Sequence, residues 1–345
     1  MLIFHTHLKP CKAMTQTTQI LDANDPDALK KAYALLKSGD IVAFPTETVY
    51  GLGANGLDPA AVAKIFKAKG RPGDNPLILH VSSIEHAIPL WQTTDERIDL
   101  AILLAEHFWP GPLSLVLPAA PDIPKAVTAG LDSVAVRAPA GTVAQKLLKM
   151  CDFPVAAPSA NLSGRPSPTS AAHVAKTLEG KIAAILDGGA TRIGIESTVL
   201  DLGSELPQIL RPGDISAEAI QAVIGELALG TAGADAPSPG LRHRHYQPKD
   251  RQLSLVDEAA IAAAWQQNIA ILCFEETANY LSENMGEREA PLLVLPKEAR
   301  AYSARLYGAL YELEQSGPGQ LFVESVPQTS EWVAVQNRLL RASAT

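Results

Sequence analysis

The sequence predicts an α/β protein built as two lobes. Two observations carry this. Segments with apolar residues at helical spacing alternate along the chain with short runs rich in Val, Ile and Leu. Near residue 230 the composition changes: "GTAGADAPSPG" (230–240) holds only small residues, proline and aspartate, and the alternation restarts beyond it. At roughly 100–200 residues per domain, 345 residues suffice for two cores.

The elements follow in order. "DPDALKKAYALLKSGD" (25–40) reads as a helix, with Asp25 as its N-cap and Gly39 closing it. "IVAFP" (41–45) is a short strand. "DPAAVAKIFKAKG" (58–70) repeats the helix grammar: Asp58 cap, Pro59 in the first turn, Gly70 at the end. "PLILHV" (76–81) is a strand, and 97–112 is a helix broken by Pro-Gly-Pro. Strands are expected at 113–119, 133–139, 154–160, 182–189, 197–202 and 208–213, with helices at 142–151, 171–180 and 216–227. Beyond the break, strands at 253–256, 269–274, 291–296 and 321–326 are joined by helices at 258–267, 299–315 and 331–342. The stretch between 274 and 291 receives no element. No internal repeat is evident.

Composition narrows the class. The 29 Lys and Arg against 37 Asp and Glu give a net charge of −8, which argues against a surface built mainly for nucleic acid. The three cysteines, Cys11, Cys151 and Cys273, are scattered, so the chain is expected in a reducing compartment, the cytoplasm. No apolar run approaches the roughly 18–20 residues that span a bilayer, and no membrane contact is expected. The opening "MLIFHTHLKPCKAM" lacks the features of a signal peptide; Met14 offers an alternative start.

Polar clusters at predicted strand ends carry the chemistry. "KAKGRPGDNP" (67–76) concentrates cations. Lys64 and Lys67 suit the negative end of a helix dipole. Arg71 lies past Gly70, in a turn, where a guanidinium fork suits phosphate. "FPTETVYGLG" (44–53) clusters Thr46, Glu47, Thr48 and Tyr50 before glycines; it is either a strand alternating Thr and Val or a pocket lining. "GLGANG" (51–56) spells a dinucleotide fingerprint, but six residues separate it from the preceding strand and no helix follows directly. Its glycines are expected in a tight loop. "APSANLSGRPSPTS" (157–170) packs small hydroxyls after an apolar run, where open α/β sheets bind ligands. Arg137 ends a strand that should be buried, so it needs a partner or a ligand. With no HExxH, GxSxG or His/Cys cluster, catalysis by positioning and electrostatics fits best, as in phosphoryl or nucleotidyl transfer.

Together these stretches resemble the YrdC-like family, in particular its long, two-domain threonylcarbamoyl-AMP synthases. The shared segments are "FPTETVYGLGANG", "KGRPGDNPLILHV", "WPGPLSLVLP", "VAVRAPA", "APSANLSGRPSPT", "GIESTVLD", "LRPG", "SPGLRHRHYQP" and "NRLLRA". The resemblance implies a twisted mixed sheet whose helices frame a concave site, with a smaller Rossmann-like α/β domain after it. It implies an N-terminal extension (1–17), a catalytic domain (18–229), a linker or lid (230–250) and a C-terminal domain (251–345). The implied reaction joins L-threonine, bicarbonate and ATP into threonylcarbamoyl-AMP and pyrophosphate, with Mg²⁺, for tRNA modification by a downstream threonylcarbamoyl transferase. A Lys-x-Arg plus Ser-x-Asn tetrad falls on Lys69, Arg71, Ser159 and Asn161. The resemblance implies ATP contacts from Arg71, Asn75, Ser133, Asn161, Thr169, Arg211 and, in the linker, His245 or Tyr246. It implies threonine contacts from Thr48, His80, Arg137, Ser159 and Ser197. It assigns no metal ligand. Two other readings stand beside it: an RNA-binding module of the same fold, and a carbamoyl-transfer domain like that of hydrogenase maturation proteins, whose zinc fingers three cysteines cannot supply.

Overall fold

The computed structural model describes residues 17–228, 246–314 and 319–343. The expectations for residues 1–16, for most of the linker and for His245 lie outside them.

Ten strands form the larger sheet: β1 (Gln19–Asp22), β2 (Val42–Pro45), β3 (Tyr50–Asn55), β4 (Ile78–His80), β5 (Leu113–Pro118), β6 (Ser133–Arg137), β7 (Val155–Ala156), β8 (Ala184–Asp187), β9 (Thr198–Asp201) and β10 (Gln208–Arg211). Their order is β1-β8-β2-β3-β7-β4-β6-β5-β9-β10, with parallel and antiparallel pairs mixed. Helices cover the faces. Pro26–Lys37 starts on Asp25, whose carboxylate accepts the Asp27 N–H, and Pro59–Lys69 starts on Asp58 in the same way. Gly70 closes the second helix in the left-handed region. The helix expected over 97–112 runs instead from Asp95 to Phe108; the proline-rich turn cannot extend it.

One expectation fails instructively. The glycines of "GLGANG" do not form a loop. Gly51 and Gly53 lie in β3, paired antiparallel with β2, Phe44 opposite Gly51 and Val42 opposite Gly53. A Cβ on Gly53 would stand 2.9 Å from both the Phe44 ring and Val155, so the strand is built for a close approach.

The register aims polar residues at one place. β4 and β6 run parallel with His80 opposite Arg137, so both side chains leave the same strand ends. β9 runs beside the start of β5, and β10 returns antiparallel to bring Arg211 opposite Val199. Ser197, just before β9, and Arg211 therefore join the ends of β4 and β6.

The second sheet holds β11 (Gln252–Val256), β12 (Ala270–Phe274), β13 (Leu292–Leu295) and β14 (Gln320–Glu324), all parallel, in the order β11-β14-β12-β13. Helices Glu258–Ala264, Glu275–Met285, Ala299–Leu313 and Val333–Ser343 flank it. The second of these fills the stretch that pattern alone left blank. The lobes share a core: Val49, Ile193 and Ile195 of the first pack with Tyr302, Leu306 and Tyr307 of the second. Gly194 (φ +81°) sits so close that a Cβ there would stand 2.3 Å from the Ser303 carbonyl oxygen. Among the described residues no helix is long and apolar enough to cross a membrane.

Candidate active site

One cavity of about 60 Å³ gathers most of the singled-out side chains. Its wall includes Thr48, Arg71, His80, Arg137, Ser159, Ser197, Arg211 and Tyr246. These come from the β2–β3 turn, the turn after Gly70, strands β4, β6 and β10, and the segments before β9 and β11.

The cationic groups form two sets. In the first, Arg71 and Arg211 lie near each other and near Tyr246. Burial pulls the pKa of both guanidiniums down; the charge of Arg211 adds to the fall at Arg71, and that of Arg338 adds to the fall at Arg211. Arg71 donates from Nε to the Asn75 carbonyl at 3.2 Å and from an Nη to the Pro76 carbonyl at 2.9 Å. Arg211 donates to the Ser197 carbonyl at 3.0–3.1 Å and to its Oγ at 3.1 Å. Two buried guanidiniums side by side on one wall suit an anion.

In the second set, Arg137 donates to Glu47 Oε1 at 2.5 Å, to Thr48 Oγ1 at 3.0 Å and to the Gly111 carbonyl at 3.0 Å. Burial pushes Glu47 up, but Arg137 and the backbone more than offset it and hold the carboxyl below its usual range. Burial, aided by Arg137, pulls His80 down to about 3, so its imidazole is neutral at physiological pH. Its Nδ1–H donates to the Ile78 carbonyl at 3.2 Å.

Other expected residues stand just behind the wall. Lys69 is buried and donates to the carbonyls of Ser159 and, at 2.5 Å, Asn161. Burial and then Arg71 push its pKa well below that of an ordinary lysine. It braces the Ser-x-Asn loop rather than lining the cavity. The loop's other side bridges Gly51 to Ser159 and bonds Ala160 N–H to the Tyr50 carbonyl at 2.8 Å, the register the glycine strand serves. Asn161 donates to the carbonyls of Leu162 and Arg165; its buried Oδ1 has no partner among the described residues. Asn75 is buried beside Arg71, and Thr169 Oγ1 meets His173 Nδ1 at 3.2 Å. Ser133 is not brought to the cavity: it starts β6, at the end opposite Arg137.

Pattern reading gave no role to Glu196, Ser114, Tyr307 or Arg338. Glu196 also lines the cavity. Its carboxylate accepts from Ser167 Oγ at 2.5 Å, Tyr307 OH at 3.1 Å and Arg338 Nε at 2.8 Å. Ser114 Oγ meets Ser197 Oγ at 2.8 Å. Glu196 precedes Ser197 within "GIESTVLD", and Arg338 is the first Arg of "NRLLRA", so both stood inside quoted segments without a role.

A resident Mg²⁺ does not fit these residues. Such an ion wants hard oxygen ligands in octahedral array. The two carboxylates beside the cavity, Glu47 and Glu196, are each taken by an arginine. Among the described residues no three His, Cys, Asp or Glu gather around one point.

Buried cations in two sets, with hydroxyls between and a neutral imidazole, define an α/β protein whose pocket is suited to small anionic ligands. Comparison with known proteins gives that class a family. The family model for Sua5, YciO and YrdC, described as "Telomere recombination", matches residues 34–213; the model for the C-terminal domain of threonylcarbamoyl-AMP synthase matches 215–344. A threonylcarbamoyl-AMP synthase from Pyrococcus abyssi is 42% identical over 91% of this chain and 94% of its own length. A solved structure of P. abyssi Sua5 complexed with L-threonine superposes with a TM-score of 0.79 at 39% identity, covering 94% of this chain and 98% of that one. A shorter threonylcarbamoyl-AMP synthase from Vibrio campbellii is 33% identical over 52% of this chain and 95% of its own length. The chain belongs to the Sua5/YciO/YrdC family.

Proposed function

We infer that this chain makes threonylcarbamoyl-AMP and pyrophosphate from L-threonine, bicarbonate and ATP, as a nucleotidyltransferase serving tRNA modification. The observation that carries the reading is the split of cations around one cavity. Arg71 and Arg211 suit the phosphates, and Arg137, flanked by Thr48 and neutral His80, suits the amino-acid carboxylate. The P. abyssi relative is a threonylcarbamoyl-AMP synthase, and P. abyssi Sua5 has been solved with L-threonine.

In this scheme the threonine amine condenses with bicarbonate, losing water, to a carbamate. A carbamate oxygen attacks the α-phosphorus, the bond to the β-phosphate oxygen breaks, and pyrophosphate leaves. Arg71 and Arg211 offset charge growing on the phosphates in a site shielded from water. Lys69 acts through the 159–161 loop, setting Ser159 and Asn161 toward the substrates. Asn75 and Thr169 reach the nucleotide once it is seated, and Tyr246 closes against it. Ser197 holds threonine beside Arg211. Mg²⁺ arrives as the counter-ion of ATP, not on protein ligands. Residues 18–229 carry the chemistry, 230–250 connect and 251–345 form the second lobe. The cytoplasm, where a downstream transferase would consume the adenylate, is the compartment.

Pyrophosphate release from ATP tests this. It is expected only with L-threonine and bicarbonate both present. Release of equal rate without threonine would sink the reading.

A further inference from the structure

Tyr246, at the start of the segment leading into the second lobe, lines the cavity, and its ring is seated on the second lobe. Its side chain is 3% exposed and its backbone sits at φ +71°, a conformation non-glycine residues avoid unless their surroundings hold them. The surroundings are specific. The Tyr246 ring stacks on Tyr307 of helix Ala299–Leu313, centroids 5.5 Å apart and planes 23° from parallel. The Arg338 guanidinium of helix Val333–Ser343 lies 5.8 Å from the centre of the same ring. Arg338 is fixed in turn by Glu196, by the Pro212 carbonyl at 2.7 Å and by the Glu196 carbonyl at 3.2 Å. Tyr307 OH reaches the same carboxylate. Just beyond, Gln247 N–H bonds the Gly164 carbonyl and Lys249 N–H bonds Glu314, itself paired with Arg165 at 2.5 Å.

Size makes this seat matter. About 60 Å³ holds a few waters, whereas pockets for ligands of nucleotide size run to about 300 Å³ or more. Tyr246 must therefore swing away from Arg71 and Arg211 when a nucleoside triphosphate enters, and return when it is bound. We propose that Tyr307 and Arg338 are positioning residues that set the return of Tyr246, so that the second lobe governs how long the mixed anhydride is kept from water. Neither lines the cavity. The proposal rests on the adenylate-forming reading above. The reaction it restrains is hydrolysis: water attacks the anhydride and releases AMP and the carbamate, which a second water breaks into threonine and bicarbonate.

The experiment is a single-turnover reaction with enzyme in excess, following decay of enzyme-held threonylcarbamoyl-AMP to AMP. Tyr307→Ala removes the stacking face. Tyr307→Leu removes the face but keeps most of the volume, and decides the matter if the alanine variant does not fold. Both are expected to shorten the adenylate lifetime about tenfold, with the KM for L-threonine unchanged. Tyr307→Phe, which keeps the ring, is expected within twofold of the parent. Combining Tyr307→Leu with Tyr246→Ala is expected to add nothing beyond Tyr246→Ala alone. Parental lifetimes in Tyr307→Leu, or full additivity with Tyr246→Ala, would overturn the proposal. A parent enzyme that forms no adenylate overturns the functional reading instead.

Discussion

Two buried arginine–carboxylate pairs flank the cavity, and they differ in what the guanidinium can still do. Arg137 pairs with Glu47 inside the first lobe, yet it lines the cavity and spends one donor on Thr48, itself a wall residue. Arg338 pairs with Glu196 across the lobes, is fully enclosed, and spends its donors on Glu196, the Pro212 carbonyl and Asn337. In the first pair the cation faces the ligand and the carboxylate stands behind. In the second the carboxylate faces the cavity and the cation stands behind. A buried ion pair is thus no sign of function until one asks which partner is open to the site.

Arg338→Ala should have the largest effect, because it strands a buried carboxylate. A loss of about 3–5 kcal/mol in urea unfolding is expected. A loss near zero would mean that the lobes are not held there. Arg137→Lys should leave unfolding nearly intact but lower kcat/KM for L-threonine by about 10²-fold, since an ammonium cannot reproduce the forked contacts. If it unfolded the chain as Arg338→Ala does, the contrast between the pairs would collapse. Acid sharpens the contrast further. Burial alone would raise Glu196; Arg338 and Arg211 outweigh it and hold it at about 2, against 4.5 ordinarily. The unfolded chain therefore binds more protons in that window. The contribution is complete above pH 4.5 and fades as pH falls toward 2, about 3 kcal/mol in all. Arg338→Ala should flatten that slope in a pH series of unfolding midpoints, leaving what Arg211 and Ser167 supply. Last, Ser167→Ala removes one donor to Glu196 and should cost about 1 kcal/mol, with no change in threonine affinity by calorimetry.

The α/β class and the helix starts at Asp25 and Asp58 were legible because caps and periodicity are local. So was Arg137, whose charge at a buried strand end demanded a partner. The glycine strand was not, because only the register with Phe44 and Val155 shows why Gly53 lacks a side chain. Helix Glu275–Met285 hid behind a polar stretch whose few buried residues, Thr277, Ala278 and Leu281, give a thin apolar stripe. Ser133 and Arg137 share a strand, and four residues of rise separate them by about 13 Å; of the two, Arg137 lines the cavity. Arg338 and Tyr307 were invisible as site neighbours because their partner lies 142 and 111 residues away in the chain.

Gly194 bears on how such a chain can be recombined. With no room for a Cβ between its backbone and the Ser303 carbonyl, the second lobe fits only a first lobe that carries glycine at that position. Grafting the second lobe onto a first lobe that bears a side chain there would therefore fail at this one contact however well the linker was chosen. The seam between the lobes is keyed, and its key is an absent methyl group.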